Sequence, residues 1–150
     1  MGTNSVREQL ILEVKDRLGE LAGIKTVMRV MPEYSDLQSF AVTQFPAIAI
    51  VGRLPLPVQK KSSRRPAGVD TFLSQLSLDL YCYLMVNENV DTEISDVLDD
   101  IWAKLYADPT RGGLATETEV TMEDNVVYWP PFAAFKVIAK ITYQHDTGGI

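Results

Sequence analysis

Between Leu76 and Leu84 every second residue is apolar. Leu76, Leu78, Leu80, Cys82 and Leu84 fall on one side, and Ser77, Asp79, Tyr81 and Tyr83 on the other. A period of two marks a strand with one face on a core. The same period returns near the end of the chain, where Phe135, Val137, Ala139, Ile141 and Tyr143 alternate with Lys136, Ile138, Lys140 and Thr142. It is present again over 114–122. Ala47-Ile48-Ala49-Ile50-Val51 is apolar throughout and is followed by Gly52, which predicts a strand covered on both faces. The stretch 24–30 predicts a modest strand at a sheet edge, and 37–41 a helical turn.

Two segments carry the helical period instead. Ser5-Val6-Arg7-Glu8 has the spacing of a capping box, with Ser5 accepting from a free amide and Glu8 reaching back. Behind it Val6, Leu10, Ile11, Val14, Leu18 and Leu21 recur on one face, and Gly23 supplies a stop. The second helical face is Ile94, Val97, Leu98, Ile101, Trp102 and Leu105. Its acids lie early and Lys104 late, as the helix dipole prefers, and Asp108-Pro109 ends it. Pro109-Thr110-Arg111-Gly112-Gly113 is rich in turn formers.

Strands that follow one another without crossover helices favour antiparallel pairing, and two helices with single apolar faces pack on one side of such a sheet. The expected fold is therefore α+β: one domain over 1–150, a mostly antiparallel sheet, two helices on one face, and a long loop between two central strands. That loop, 53–70, contains Pro55, Pro57 and Pro66, so no helix runs through it. A connection of this length in a compact domain is unusual. The polar, Gly-rich tail 145–150 is expected to be flexible.

Charge changes the picture at the loop. The chain has a net charge of −6 from 20 acidic and 14 basic residues. Five of the bases, Arg53, Lys60, Lys61, Arg64 and Arg65, are gathered in this one stretch. Beyond Pro66 the bases are Lys104, Arg111, Lys136 and Lys140 alone, against a long series of acids. An acidic body carries one basic loop. The loop has three readings: a solubilising surface loop, a contact with an acidic protein surface, or a contact with nucleic acid. The chain supplies such an acidic surface itself, in Glu93, Asp96, Asp99 and Asp100 of the second helix. Contact between the loop and that helix in an identical neighbour would be heterologous, and such contacts close into rings. Nucleic-acid binding lacks the aromatic residues on which single-strand binders stack bases.

Composition sets outer limits. At 46% hydrophobic and 23% charged residues the chain belongs with globular proteins. No apolar run nears the roughly 20 residues that span a bilayer. The first ten residues lack the apolar core of a secretory signal, so cytoplasmic synthesis and no membrane partner are expected. A single cysteine, Cys82, excludes an internal disulfide and a Cys-rich zinc site, and on the apolar side of its strand it acts as a small hydrophobe.

Candidate chemistry is sparse. His145 is the sole histidine and falls in the expected tail, where it reads as solvated rather than as a held base. Asp96, Asp99 and Asp100 read as a solvated acidic helix face, with a cation bridging them in an assembly as the other reading. No EF-hand spacing and no phosphate-cradling glycine motif is present. No catalytic residue, metal or cofactor is expected, and the chain is read as a non-enzyme. Trp129-Pro130-Pro131-Phe132 has two readings, a hairpin connection with core-facing aromatics, or an apolar patch (Trp129 and Phe132) buried against a partner.

These residues together resemble a family. The capped first helix, Phe45-Pro46-Ala47-Ile48-Ala49-Ile50, the long loop, the 76–86 strand, the helix ending at Tyr106, the turn Asp108-Pro109-Thr110-Arg111-Gly112-Gly113 and the last two strands are similar, in length, order and pattern, to the tail-terminator (tail-completion) proteins of long-tailed bacteriophages and prophages. The resemblance implies a virion protein of the tail or neck, assembled in the host cytoplasm. It implies a small α+β subunit that forms a hexameric ring, caps the tail tube, ends its polymerisation and offers a surface to the head. Its partners would be other copies of itself, the tail-tube protein and the head–tail connector protein, and nucleic acid would be met only as DNA passing through the lumen. By the same analogy 53–68 would be the loop that projects into or around that lumen. The alternatives are a head–tail connector or neck protein, and a nucleic-acid-binding module that uses the basic loop.

Overall fold

This computed structural model describes residues 5–54, 56–61, 71–85, 90–123, 125–129 and 131–146. Among them are three helices, α1 (Val6–Gly19), α2 (Tyr34–Ser39) and α3 (Val90–Tyr106). There are seven strands: β1 (Thr26–Met28), β2 (Ala47–Gly52), β3 (Leu56–Lys61), β4 (Thr71–Met85), β5 (Glu117–Met122), β6 (Val127–Trp129) and β7 (Phe132–Asp146). All seven form one sheet with the main order β1-β2-β4-β7-β5. The fold is α+β and the sheet mostly antiparallel; only β1 and β2, at one edge, run parallel.

The spine of the sheet is the β4–β7 pair, which stays in register from Thr71↔Asp146 to Met85↔Phe132. Two short strands share each outer flank of this pair. On β4, β2 lies opposite 78–83 and β3 opposite 71–75. On β7, β5 lies opposite 137–142 and β6 opposite 132–134. The expected long loop is therefore partly a strand. β3 takes the place beside β4 that β2 vacates, with a register irregularity between Pro57 and Gln59. Proline lacks the amide a ladder needs, so an edge strand with a bulge is where Pro57 can be accommodated.

Helices α1 and α3 cover one face, as expected. Leu10, Ile11, Val14 and Leu18 of α1 and Val97, Ile101 and Leu105 of α3 meet the even-numbered leucines of β4 and Val137, Ala139 and Ile141 of β7. The opposite face has its own smaller core, in which Leu37 of α2 and Phe45 pack on Ala47, Ala49, Tyr83, Phe132 and Ala134. The helical turn expected at 37–41 is thus α2, one turn earlier, and it covers only one end of its face.

The helix ends follow their local chemistry. Ser5 Oγ accepts from the Glu8 amide at 3.1 Å. The Glu8 carboxylate is engaged by Arg29 of the β1 edge, at 2.6 and 3.2 Å. At the other end of α3, Asp108 accepts from the Thr110 amide, the Thr110 hydroxyl and the Gly112 amide at 3.1, 2.6 and 2.7 Å. These bonds hold its carboxyl below the usual aspartate range. Arg111 turns back in the left-handed region, φ 50°, and its fully buried guanidinium donates to the carbonyls of Leu105 and Asp108. It also faces Glu13 of α1 at 3.5 Å, while Lys104 reaches Glu20 at 2.8 Å. The two helices are therefore tied by ion pairs as well as by packing.

Candidate functional site

The basic stretch divides when it is placed on the fold. Arg53 follows β2 and is committed to the protein: its guanidinium donates to both oxygens of Asp79 at 3.0 and 2.8 Å. Asp79 sits mid-strand in β4, on the face away from α1 and α3, and is nearly closed to solvent. The backbone here is held from the other side. Arg7 donates to the carbonyls of Gly52 at 3.1 Å and Arg53 at 3.4 Å. A side chain at Gly52 would meet the Arg7 guanidinium at 2.7 Å and the end of the Ile11 side chain at 3.0 Å, so a larger residue here would push the Arg7 side chain from its place on the backbone. Lys60 and Lys61 lie in β3 opposite Phe72 and Thr71, with their side chains outside the described residues. Arg64 and Arg65 lie outside them altogether.

The four acidic residues line one groove. Asp96, Asp99 and Asp100 are exposed on α3 and Glu93 is half-buried beside them. They line a groove of about 730 Å³ with Gly23, Phe45, Pro46, Leu84, Met85 and Val97. Among the described residues, none of the four carboxylates has an ion-pair partner. No three His, Cys, Asp or Glu side chains among the described residues are placed to share a metal ion.

The apolar patch is corrected in part. Phe132 is not a surface anchor: it is 2% exposed and packs against the Phe45 ring at a centroid distance of 5.6 Å. It pairs with Trp129 across the β6–β7 hairpin, so the core-facing reading holds for Phe132. The Trp129 side chain lies outside the described residues. The exposed apolar side chains near the hairpin are instead Val127 and Tyr128. Val127, Met31, Tyr81 and Tyr83 border a shallow cavity of about 190 Å³ on the sheet face. Lys136 lies 5.6 Å from the Tyr81 ring and pairs with Glu123 at 3.0 Å.

His145 is also corrected. It is the penultimate residue of β7, only 7% exposed, with Nε2 at 2.6 Å from Ser74 Oγ. Its ring stacks on Phe72 and leans on Tyr143. A serine and a histidine at this distance share the geometry of a nucleophile and its base. Here both are enclosed, and the contact ties the far ends of β4 and β7. The alternation of β7 already contained this placement, because 135, 137, 139, 141, 143 and 145 share one face. Cys82 is fully buried, and burial raises its thiol well above the ordinary range, which keeps it protonated.

Three features are not legible in the sequence: the Arg53–Asp79 pair, the buried Arg111, and the Ser74–His145 contact. Each depends on strand register or on a turn that brings distant residues together. A lone aspartate inside the most regular strand was the one visible signal. No helix among the described residues is long and apolar enough to cross a membrane. The chain matches no protein-family model and no curated protein.

Proposed function

We propose that this chain is a structural subunit of a phage or prophage tail, which assembles into a ring, caps the tail tube and presents a surface for head joining. The observation that carries the reading is the separation of charge along one sheet. Basic Lys60 and Lys61 lie at the Thr71 end of the β4–β7 spine, and the acidic groove lies at its Met85 end. A subunit with unlike charge at its two ends favours head-to-tail contact with copies of itself, and such contacts close into rings when the rotation allows. The α+β architecture, with α1 and α3 on one face of a mostly antiparallel sheet, is the one the tail-terminator resemblance implies.

In this reading the work is done by binding. A tube subunit polymerises because each layer exposes what the next layer needs. A cap matches that surface on one side and differs on the other. The test is the mass of the pure protein in solution, alone and with tail tubes. A hexamer, or a monomer that becomes hexameric on tubes, agrees with the reading. A monomer that ignores tubes and is retained on DNA in a salt-sensitive way contradicts it and points to a nucleic-acid-binding module.

A further inference from the structure

Building on the ring reading, we propose that the groove beside α3 is the seat for the basic segment 60–66 of a second copy of this chain. The floor of the groove is apolar, made by Phe45, Pro46, Leu84 and Met85, and its wall carries Glu93, Asp96, Asp99 and Asp100. A wall of four carboxylates above this floor selects an occupant dense in cations. The segment Lys60-Lys61-Ser62-Ser63-Arg64-Arg65-Pro66 is such a stretch: it holds four cations against the four carboxylates, with two small serines between the pairs and a proline at its end. No other stretch of this chain combines charge of that sign and density.

Distance decides that the contact is between copies. The groove touches Leu84 and Met85, whereas Lys60 and Lys61 are paired with Phe72 and Thr71. At about 3.3 Å per strand residue, Thr71 and Leu84 are roughly 40 Å apart along β4. The nine residues 62–70 must leave β3 and return to β4. Their midpoint therefore reaches no more than about 17 Å from the strand ends, at about 3.5 Å per extended residue. The basic segment cannot fill the groove of its own chain. A second copy can, and the contact uses a different surface on each partner, so it is directional and leaves both outer ends open for further subunits. Arg53, spent on Asp79, has no part in it.

Charge reversal in the full chain tests this. The groove variant is Asp96→Lys with Asp99→Lys; the segment variant is Lys60→Glu, Lys61→Glu, Arg64→Glu and Arg65→Glu. Asp96 and Asp99 are exposed on α3, and thermal melting checks that each variant folds. Each variant alone is expected to shift to the 16.7 kDa monomer where the wild type is oligomeric. A one-to-one mixture is expected to reassemble, because every groove then faces a segment of opposite charge. A folded variant that assembles as the wild type does, or a mixture that stays monomeric, overturns the groove contact and leaves the ring reading intact. A wild-type chain that is monomeric at every concentration and indifferent to tubes overturns both.

Discussion

The sheet face beneath α1 and α3 is aliphatic along most of its length, whereas the opposite face is a mosaic. On the first, Leu76, Leu78, Leu80 and Leu84 of β4 meet Val137, Ala139 and Ile141 of β7, and all are closed to solvent. On the second, the same strands present Asp79, Tyr81 and Tyr83 beside Lys136, with a small core at one end and the Arg53–Asp79 and Lys136–Glu123 ion pairs further along. The difference assigns the two faces different duties. Burial of aliphatic surface is non-directional and supplies most of the folding free energy. Paired charges and half-exposed rings add little stability for their number, but they fix geometry and leave surface that another protein can read.

The sharpest way to break this contrast is at the aliphatic face. Leu80→Ala removes a fully buried side chain beneath the helices and is expected to cost about 3 to 4 kcal/mol in chemical denaturation. A loss under 1 kcal/mol would mean that this face is not the main core. Arg111→Ala comes next, at about 3 kcal/mol. It strips the end of α3 of its buried donors and takes from Glu13 one of its two cations, leaving Arg17 at 3.2 Å.

The mosaic face should respond less. Arg53→Ala leaves the enclosed Asp79 carboxylate unpaired, whereas Asp79→Asn leaves a half-exposed guanidinium that water can solvate. Arg53→Ala is therefore expected to cost about 2 kcal/mol and Asp79→Asn about 1 kcal/mol, read from urea midpoints at constant slope. Equal losses would remove the asymmetry on which this reading of the pair rests.

The smallest expected effect is alkaline. Burial raises the Tyr83 and Tyr143 phenols and the Cys82 thiol above their ordinary values. Groups of this sign contribute stability that is intact below their unfolded values and lost as pH rises through the folded ones. The melting temperature should be steady through neutral pH and begin to fall above about pH 9, where the unfolded thiol and phenols ionise. A melting temperature that stays level up to about pH 11, beyond the ordinary range of thiols and phenols, would contradict this.

How far the sequence reveals this molecule follows from where the information sits. The strands β4 and β7 and the helices α1 and α3 are legible because their apolar periods are long and belong to one element each. β3 is not, because Pro57 and the lysines disguise an edge strand whose partner, β4, lies later in the chain. The polar glycine-rich residues after His145 make it read as tail, although its phase in β7 places it with Tyr143 on the buried face. Arg111 reads as one residue of a turn, and only the return of the chain against α1 makes it the cap of α3. The acidic wall of the groove was visible as helix spacing. Its apolar floor was not, since Phe45, Pro46, Leu84 and Met85 are brought to α3 from two other parts of the chain.

The proposed capping of a tail tube is tested most directly by electron microscopy of tail tubes. The tail-tube protein from the same genome is polymerised with and without the purified chain. Capping predicts shorter tubes, with a ring at one end only and no growth from that end after more tube subunit is added. Tubes of unchanged length that continue to grow from both ends, with no density from this protein at either, would contradict it.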